Sequence, residues 1–143
     1  MDIGATAVSY KRHAILIQGV SGIGKTSLAL QLIERGATLI GDDVVEIYLK
    51  NNQLYCKSKV KLKSTVEVRG LGLVAGLKVS KAAPVLCVIR LHNKPTERLP
   101  KQKTISLLNK KIPVFDFYAC NTTEISVLYT IKILMGKLTL LRE

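Results

Sequence analysis

The sequence predicts a single α/β domain with a mixed β-sheet, and three observations carry that expectation. An apolar run, a glycine loop and an amphipathic stretch follow one another between His13 and Arg35. An Asn51-Asn52 turn between two extended segments requires antiparallel pairing. A second buried strand is written in Pro84-Val85-Leu86-Cys87-Val88-Ile89-Arg90-Leu91. The 143 residues suffice for one core and are too few for two, so one domain over 1–143 is expected. With 48% hydrophobic residues and no Trp, that core is aliphatic.

Taken in order, His13–Gln18 reads as a buried strand that ends at Gly19. Ser27–Arg35 reads as a helix, with Leu28/Leu32 and Ala29/Ile33 as i,i+4 pairs and Gly36 as its C-cap. Thr38–Gly41 is a short strand that delivers Asp42-Asp43 at its carboxyl end, and Val44–Leu49 continues extended. Gln53–Cys56 returns as the hairpin partner. Thr65–Gly76 holds three glycines within seven residues, the mark of a loop that approaches something closely. His92–Asn109 is polar, basic and proline-bearing, and reads as a long loop with room for one helical turn. Pro113 marks Ile112–Phe117 as an edge strand. Asn121-Thr122-Thr123-Glu124 resembles a capping box that opens a helix through Met135. Ile125, Leu128, Tyr129 and Lys132 are spaced along one side of that helix, expected to serve packing.

Several function classes are set aside by composition. No stretch of about 18 uncharged apolar residues is present. Met1–Val8 lacks the basic n-region of a signal peptide, so cytoplasmic residence is the default expectation. Cys56, Cys87 and Cys120 are scattered without a C-x-x-C, which argues against disulfides or zinc. The formal charge of +12 is spread over Lys57–Lys63, Lys101–Lys103 and Lys110-Lys111, with no interleaved aromatics for base stacking. The first block alternates like a strand with one solvated face, so a solvated face, or a surface attracting anionic ligands or an acidic partner, is expected rather than nucleic acid.

The chemistry begins at Gly19-Val20-Ser21-Gly22-Ile23-Gly24-Lys25-Thr26, which completes G-x-x-x-x-G-K-[ST] between a strand and a helix. Glycine backbones let successive N–H groups converge on phosphate oxygens, and the helix adds the positive end of its dipole. Lys25 reaches the outer phosphates, and the Thr26 hydroxyl is a ligand for Mg²⁺. Asp42-Asp43 lies where open α/β sheets place ligand-contacting residues. On an extended segment two adjacent acids point opposite ways, so one can face the phosphates and the other metal or backbone, although an Asp pair also caps turns. Glu67 and Arg69, two apart on one face, suit a phosphate site or a surface ion pair.

Together, the glycine loop Gly19–Thr26, the stretch Gly41-Asp42-Asp43-Val44-Val45-Glu46-Ile47 and the segment Glu67-Val68-Arg69-Gly70-Leu71-Gly72-Leu73 resemble the catalytic domain of HPr kinase/phosphorylase. The likeness covers roughly Ala5 to Pro113 and is greatest to the short single-domain α-proteobacterial forms. It implies a P-loop fold similar to phosphoenolpyruvate carboxykinase. It also implies ATP and Mg²⁺ as cofactors, a serine of the phosphocarrier protein HPr as acceptor, and a hexameric assembly. The implied role is regulation of carbohydrate metabolism through the phosphotransferase system. By the resemblance, Asp43 is the general base, Asp42 its companion acid, Lys25 the phosphate-binding lysine and Glu67 a second metal-associated carboxylate. Thr26 stands for the usual Ser, and Arg98 corresponds to a later catalytic arginine.

Two departures qualify the likeness. Gly4 stands where the family has a His, and Pro113-Val114-Phe115-Asp116 stands near the place of a segment tied to dephosphorylation. These departures leave open a nucleotide-binding regulator that has lost catalysis. A small-molecule kinase shares the glycine loop but leaves Glu67–Leu73 unexplained.

Overall fold

The computed structural model describes residues 1–59, 64–98 and 100–141. Its elements in chain order are β1 (Asp2–Gly4), β2 (Thr6–Tyr10), β3 (His13–Gln18), α1 (Lys25–Glu34), β4 (Thr38–Gly41), β5 (Val44–Lys50), β6 (Gln53–Ser58), β7 (Val66–Val68), β8 (Gly72–Val74), β9 (Ala82–His92), β10 (Lys103–Leu107), β11 (Lys110–Tyr118) and α2 (Thr123–Leu134). One sheet runs β1-β5-β6-β9-β3-β2-β4, with β11 and then β10 added beside β9. β3, β9 and β11 are mutually parallel and the remaining pairs antiparallel, so the mixed α/β architecture is as expected.

The sheet curls because β9 is shared. Its first residues, Ala82–Pro84, pair with β6, and Val88–His92 pair with β11, while β3 runs beside Val85–Arg90. Alternation along the strands then fills two apolar layers. Leu16, Val88 and Val114 meet Val45, Ile47, Leu54 and Cys56 between the two halves of the sheet. Ile15, Ile17 and Ile89, on the opposite face, receive Leu28, Ala29 and Leu32 of α1 and Val127 and Ile131 of α2. α1 ends in a Schellman motif. Gly36, at φ 104°, donates to the Ile33 carbonyl and Ala37 to the Leu32 carbonyl, each at 3.0 Å.

Several expectations change. The stretch read as one long loop after His92 contains β10, which hairpins onto β11 through Leu108 and Asn109, both at positive φ. β11 is therefore interior rather than an edge. Pro113 is tolerated because the ladder to β9 begins only at Val114. The glycine-rich stretch is a small β7–β8 hairpin. Among the described residues a Cβ at Gly70, Gly72 or Gly76 would meet nothing within 4 Å, so positive φ rather than close approach explains those glycines. No side-chain cap forms at α2. The Thr123 hydroxyl instead donates to the Tyr118 carbonyl at 2.7 Å. α2 packs through Val127, Thr130 and Ile131, leaving Ile125 and Tyr129 about half exposed. Lys57 and Ser58 close β6, whereas Val60, Lys61, Leu62 and Lys63 of the alternating lysine block lie outside the described residues.

At the far end of β9 and β11, Asp116 takes His92 Nε2 on one carboxylate oxygen (2.7 Å) and Lys103 Nζ on the other (2.9 Å). Burial works to raise the Asp116 pKa, but the hydrogen bonds from Lys103 and His92 outweigh it and hold the carboxyl below its ordinary range. A depressed folded value contributes stability above the unfolded pKa of about 3.9, and that contribution is lost as pH falls through the folded value. Both partners are about half exposed, so the gain is about 1 kcal/mol. Asp116→Asn should therefore be less stable than wild type at neutral pH by about that much. Urea unfolding should show the two converging below about pH 4; a gap that persists at low pH would contradict the ion-pair account.

The cysteines divide as their burial dictates. Cys56 and Cys87 are fully buried, which pushes both thiols up to about 12, whereas Cys120 is exposed and hydrogen bonding with Thr122 lowers its pKa. A thiol reagent should modify Cys120 alone in the native protein and all three cysteines after denaturation. Rapid native labelling of Cys56 or Cys87 would show that this core is not closed.

Candidate active site

The site forms where β3 ends and α1 begins. Gly19 is required by close approach, since a Cβ there would lie 2.7 Å from Ile23 Cγ2 and 3.2 Å from the Leu91 carbonyl oxygen. Gly24 is the N-cap of α1, left-handed at φ 115°, with no side-chain cap and no acid in the first helical turn. The N–H groups of that turn are thus left for a ligand, and the helix dipole favours an anion there. Lys25 Nζ donates to the carbonyls of Gly19 (2.7 Å) and Val20 (3.3 Å), which folds the lysine back over its own loop. A third ammonium donor remains for a phosphate oxygen.

Asp42 and Asp43 reach the same place from the β4–β5 connection. They are not on an extended segment. The Val44 N–H bonds the Asp42 carbonyl at 2.8 Å and Asp43 stands at φ 67°, a γ-turn with its central residue in a sparsely populated region. The Asp43 carbonyl in turn accepts the Ala5 N–H at 3.0 Å. The Asp42 side chain is held separately. Its Oδ1 accepts the Thr6 hydroxyl at 2.8 Å and the Thr26 hydroxyl at 3.3 Å.

The β7–β8 hairpin closes the third side. Glu67, Val68, Arg69 and Gly70 line one cleft of about 460 Å³ together with Ser21, Gly22, Gly24, Lys25, Thr26, Asp42 and Asp43. Three segments far apart in sequence therefore converge. Gly22 faces the Arg69 guanidinium, 3.8 Å from where a Cβ would stand. Glu67 and Arg69 form no ion pair with each other among the described residues. Leu71 and Gly72 of the same segment do not line the cleft, and Leu71 is 76% exposed.

Arg98 is not brought in. It is exposed, outside the cleft, and its neighbours Glu97 and Pro100 border a second hollow of about 510 Å³ with His92, Lys103 and Asp116. Gly4, in β1 opposite Val44, has room for a Cβ, which among the described residues would meet only the Asp43 carbonyl oxygen, at 3.9 Å. Thr6 is the residue that sequence reasoning missed. Its signal was a lone hydroxyl in the apolar run Ala5-Thr6-Ala7-Val8.

The arrangement fits a nucleotide with Mg²⁺. No three His, Cys, Asp or Glu residues cluster as a metal cage among the described residues. Mg²⁺ is usually held by one or two carboxylates plus substrate phosphates, and the Thr26 hydroxyl beside the Asp42 carboxylate offers that partial set.

Known proteins share the sequence and the fold. The chain is 35% identical over 114 residues to an HPr kinase/phosphorylase of Mycoplasma genitalium, covering 71% of this chain and 37% of that protein. It is 40% identical over 86 residues to an HPr kinase/phosphorylase of Mycoplasmopsis pulmonis, covering 60% of this chain and 28% of that protein. The chain thus spans about a third of the length of these curated relatives. The structure of the Hpr(Ser) kinase/phosphatase from Coxiella burnetii superposes with a TM-score of 0.79 over 95% of this chain and 99% of that one, at 24% identity, which shows the shared fold. The HPr Serine kinase C-terminal domain profile matches residues 5–135, extending past Pro113, where the resemblance of the motifs stops, to the end of α2. Matched over nearly its whole length, the chain belongs to the HPr Serine kinase C-terminal domain family.

Proposed function

We propose that the cleft binds ATP with Mg²⁺ and transfers the terminal phosphoryl group to a serine hydroxyl of the protein HPr. The observation that carries this reading is the convergence of Lys25, Thr26, Asp42, Asp43, Glu67 and Arg69 on one cleft at the uncapped N-terminus of α1. The HPr kinase/phosphorylase relatives supply the acceptor protein.

Each group has a task set by its chemistry. The first-turn N–H groups of α1 and the Lys25 ammonium bind the phosphates and stabilise the charge that develops on the transferring group. Mg²⁺, when bound, neutralises the phosphate oxygens, and Thr26, Asp42 and Glu67 are the residues that would hold it. Asp43 takes the proton of the serine hydroxyl as the new O–P bond forms and the bond to the leaving diphosphate breaks. Asp43 is exposed at the cleft, where a protein substrate can present its serine. The reverse, phosphorolytic direction would use the same groups, with Asp43 returning the proton.

Incubation with labelled ATP, Mg²⁺ and HPr should place label on an HPr serine. No label, under conditions where a full-length relative gives it, would sink the reading. Asp43→Asn should lower the rate by about 10²–10⁴-fold, the usual contribution of a general base. Asn tolerates the left-handed backbone at this position, so the melting temperature should stay near that of wild type. A fully active Asp43→Asn protein would remove Asp43 from the role of base.

A second reading, a nucleotide-binding regulator without catalysis, is favoured by the vacant space at Gly4 beside Asp43. The two separate in one variant. A Cβ at Gly4 meets no clash among the described residues; Gly4→His should raise phosphorylation of HPr if only an imidazole is missing, and should change nothing if the chain no longer turns over.

A further inference from the structure

Thr6 opens β2 with a hydroxyl beside the apolar Ala5, Ala7 and Val8, and at 1% exposure it is among the most buried polar side chains described. A buried hydroxyl without a partner is costly, so what it bonds to is informative. The β2–β4 register ends with Ala7 opposite Gly41, and Thr6 and Asp42 are the next residues beyond that pair on the two chains. There the Thr6 Oγ1 donates to Asp42 Oδ1 at 2.8 Å, shorter than the 3.3 Å bond that the same oxygen accepts from Thr26. Both hydroxyl bonds fall on Oδ1; Oδ2 accepts none among the described residues.

The direction of these bonds matters. An ionised carboxylate only accepts, so Thr6 and Thr26 must both donate. With its proton committed to Asp42, the Thr26 oxygen presents its lone pairs elsewhere, as a cation ligand must. That commitment requires Asp42 to hold one orientation. Thr26 lies on the loop side of the cleft and carries the longer bond, whereas Thr6 is anchored in the interior of the sheet.

We propose that Thr6 is the positioning residue of the cation site. By occupying Asp42 Oδ1 from inside the sheet, it fixes the carboxylate so that Thr26 and Asp42 together present oxygen ligands to a phosphate-bound Mg²⁺. The inference rests on the Mg²⁺-nucleotide reading of the cleft. Thr6 touches no reacting group and acts only through Asp42.

The test measures binding rather than turnover. A fluorescent ATP analogue is titrated onto wild type, Thr6→Val, Thr6→Ala and Thr6→Ser, with EDTA and then across a Mg²⁺ series. Partners that orient metal ligands typically carry a 10–100-fold effect on metal affinity. Thr6→Val and Thr6→Ala should raise the Mg²⁺ concentration for half-maximal enhancement about tenfold or more and leave Mg²⁺-free nucleotide affinity within about twofold. Thr6→Ser keeps the hydroxyl and should stay near wild type. The Ser-to-Ala comparison isolates the hydroxyl at similar volume, should Thr6→Val disturb packing. A Mg²⁺ midpoint unchanged in both Val and Ala variants would overturn the inference while leaving the nucleotide site intact. Wild type showing no Mg²⁺-dependent binding would overturn both the inference and the reading beneath it.

Discussion

One backbone hydrogen bond, from the Ala5 N–H to the Asp43 carbonyl, joins the two places where the chain changes layers. Ala5 is the joint between β1, which pairs in one half of the sheet, and β2, which pairs in the other. Asp42-Asp43 is the equivalent joint between β4 and β5. The halves can close over their common core only if both joints turn at the same point. Gly41 permits that closure, because a Cβ there would sit 2.9 Å from Val45 Cγ1. A non-glycine residue at positive φ costs on the order of 1–2 kcal/mol, and the bonds from Ala5 and Val44 across the turn offset it at about 1 kcal/mol each.

The same joint makes the site. Because the turn is tight, both acids leave the sheet within one step of its edge, and their positions are set by backbone rather than by flexible side chains. Asp42 is then locked by a hydroxyl from the buried strand, while Asp43 stays open to solvent. This division suits two carboxylates with different tasks: one to orient ligands, the other to meet an incoming hydroxyl. The glycine loop contributes the opposite sign. Its uncapped helix terminus and Lys25 face the acids across a cleft that Glu67 and Arg69 close. Charge of both signs arranged around an open space is costly to build without a ligand, which is why such clusters mark functional sites.

Much of this was legible in the residues. The strand, glycine loop and helix between His13 and Arg35 were fixed by apolar spacing and by glycines at defined offsets, and Asn51-Asn52 announced its hairpin because Asn tolerates positive φ. The hairpins at Lys11-Arg12 and Leu108-Asn109 use the same left-handed pair without that signature, so β10 was hidden inside an apparent loop. Pro113 pointed to an edge strand, since nothing local reveals that the ladder to β9 starts one residue later. α2 misled in a different way. Apolar residues stand on several of its sides, and only tertiary packing decides that Val127 and Ile131 face inward. In the site, residue types named the chemistry of Lys25, Thr26 and the two acids. The turn conformation of Asp43 and the reach of Thr6 to Asp42 depend on pairing across the sheet, which a linear pattern does not carry.

The central claim is that this cleft holds a Mg²⁺-nucleotide with its terminal phosphate between Lys25 and Asp43. A crystal structure of the chain with Mg²⁺ and a non-hydrolysable ATP analogue tests it directly. The account predicts phosphates on the N–H groups of the first turn of α1, Mg²⁺ against the Thr26 hydroxyl on the Asp42 side, and the Asp43 carboxylate on the open face of the terminal phosphate. A nucleotide bound elsewhere, or one bound here with both acids turned away from its phosphates, would contradict it.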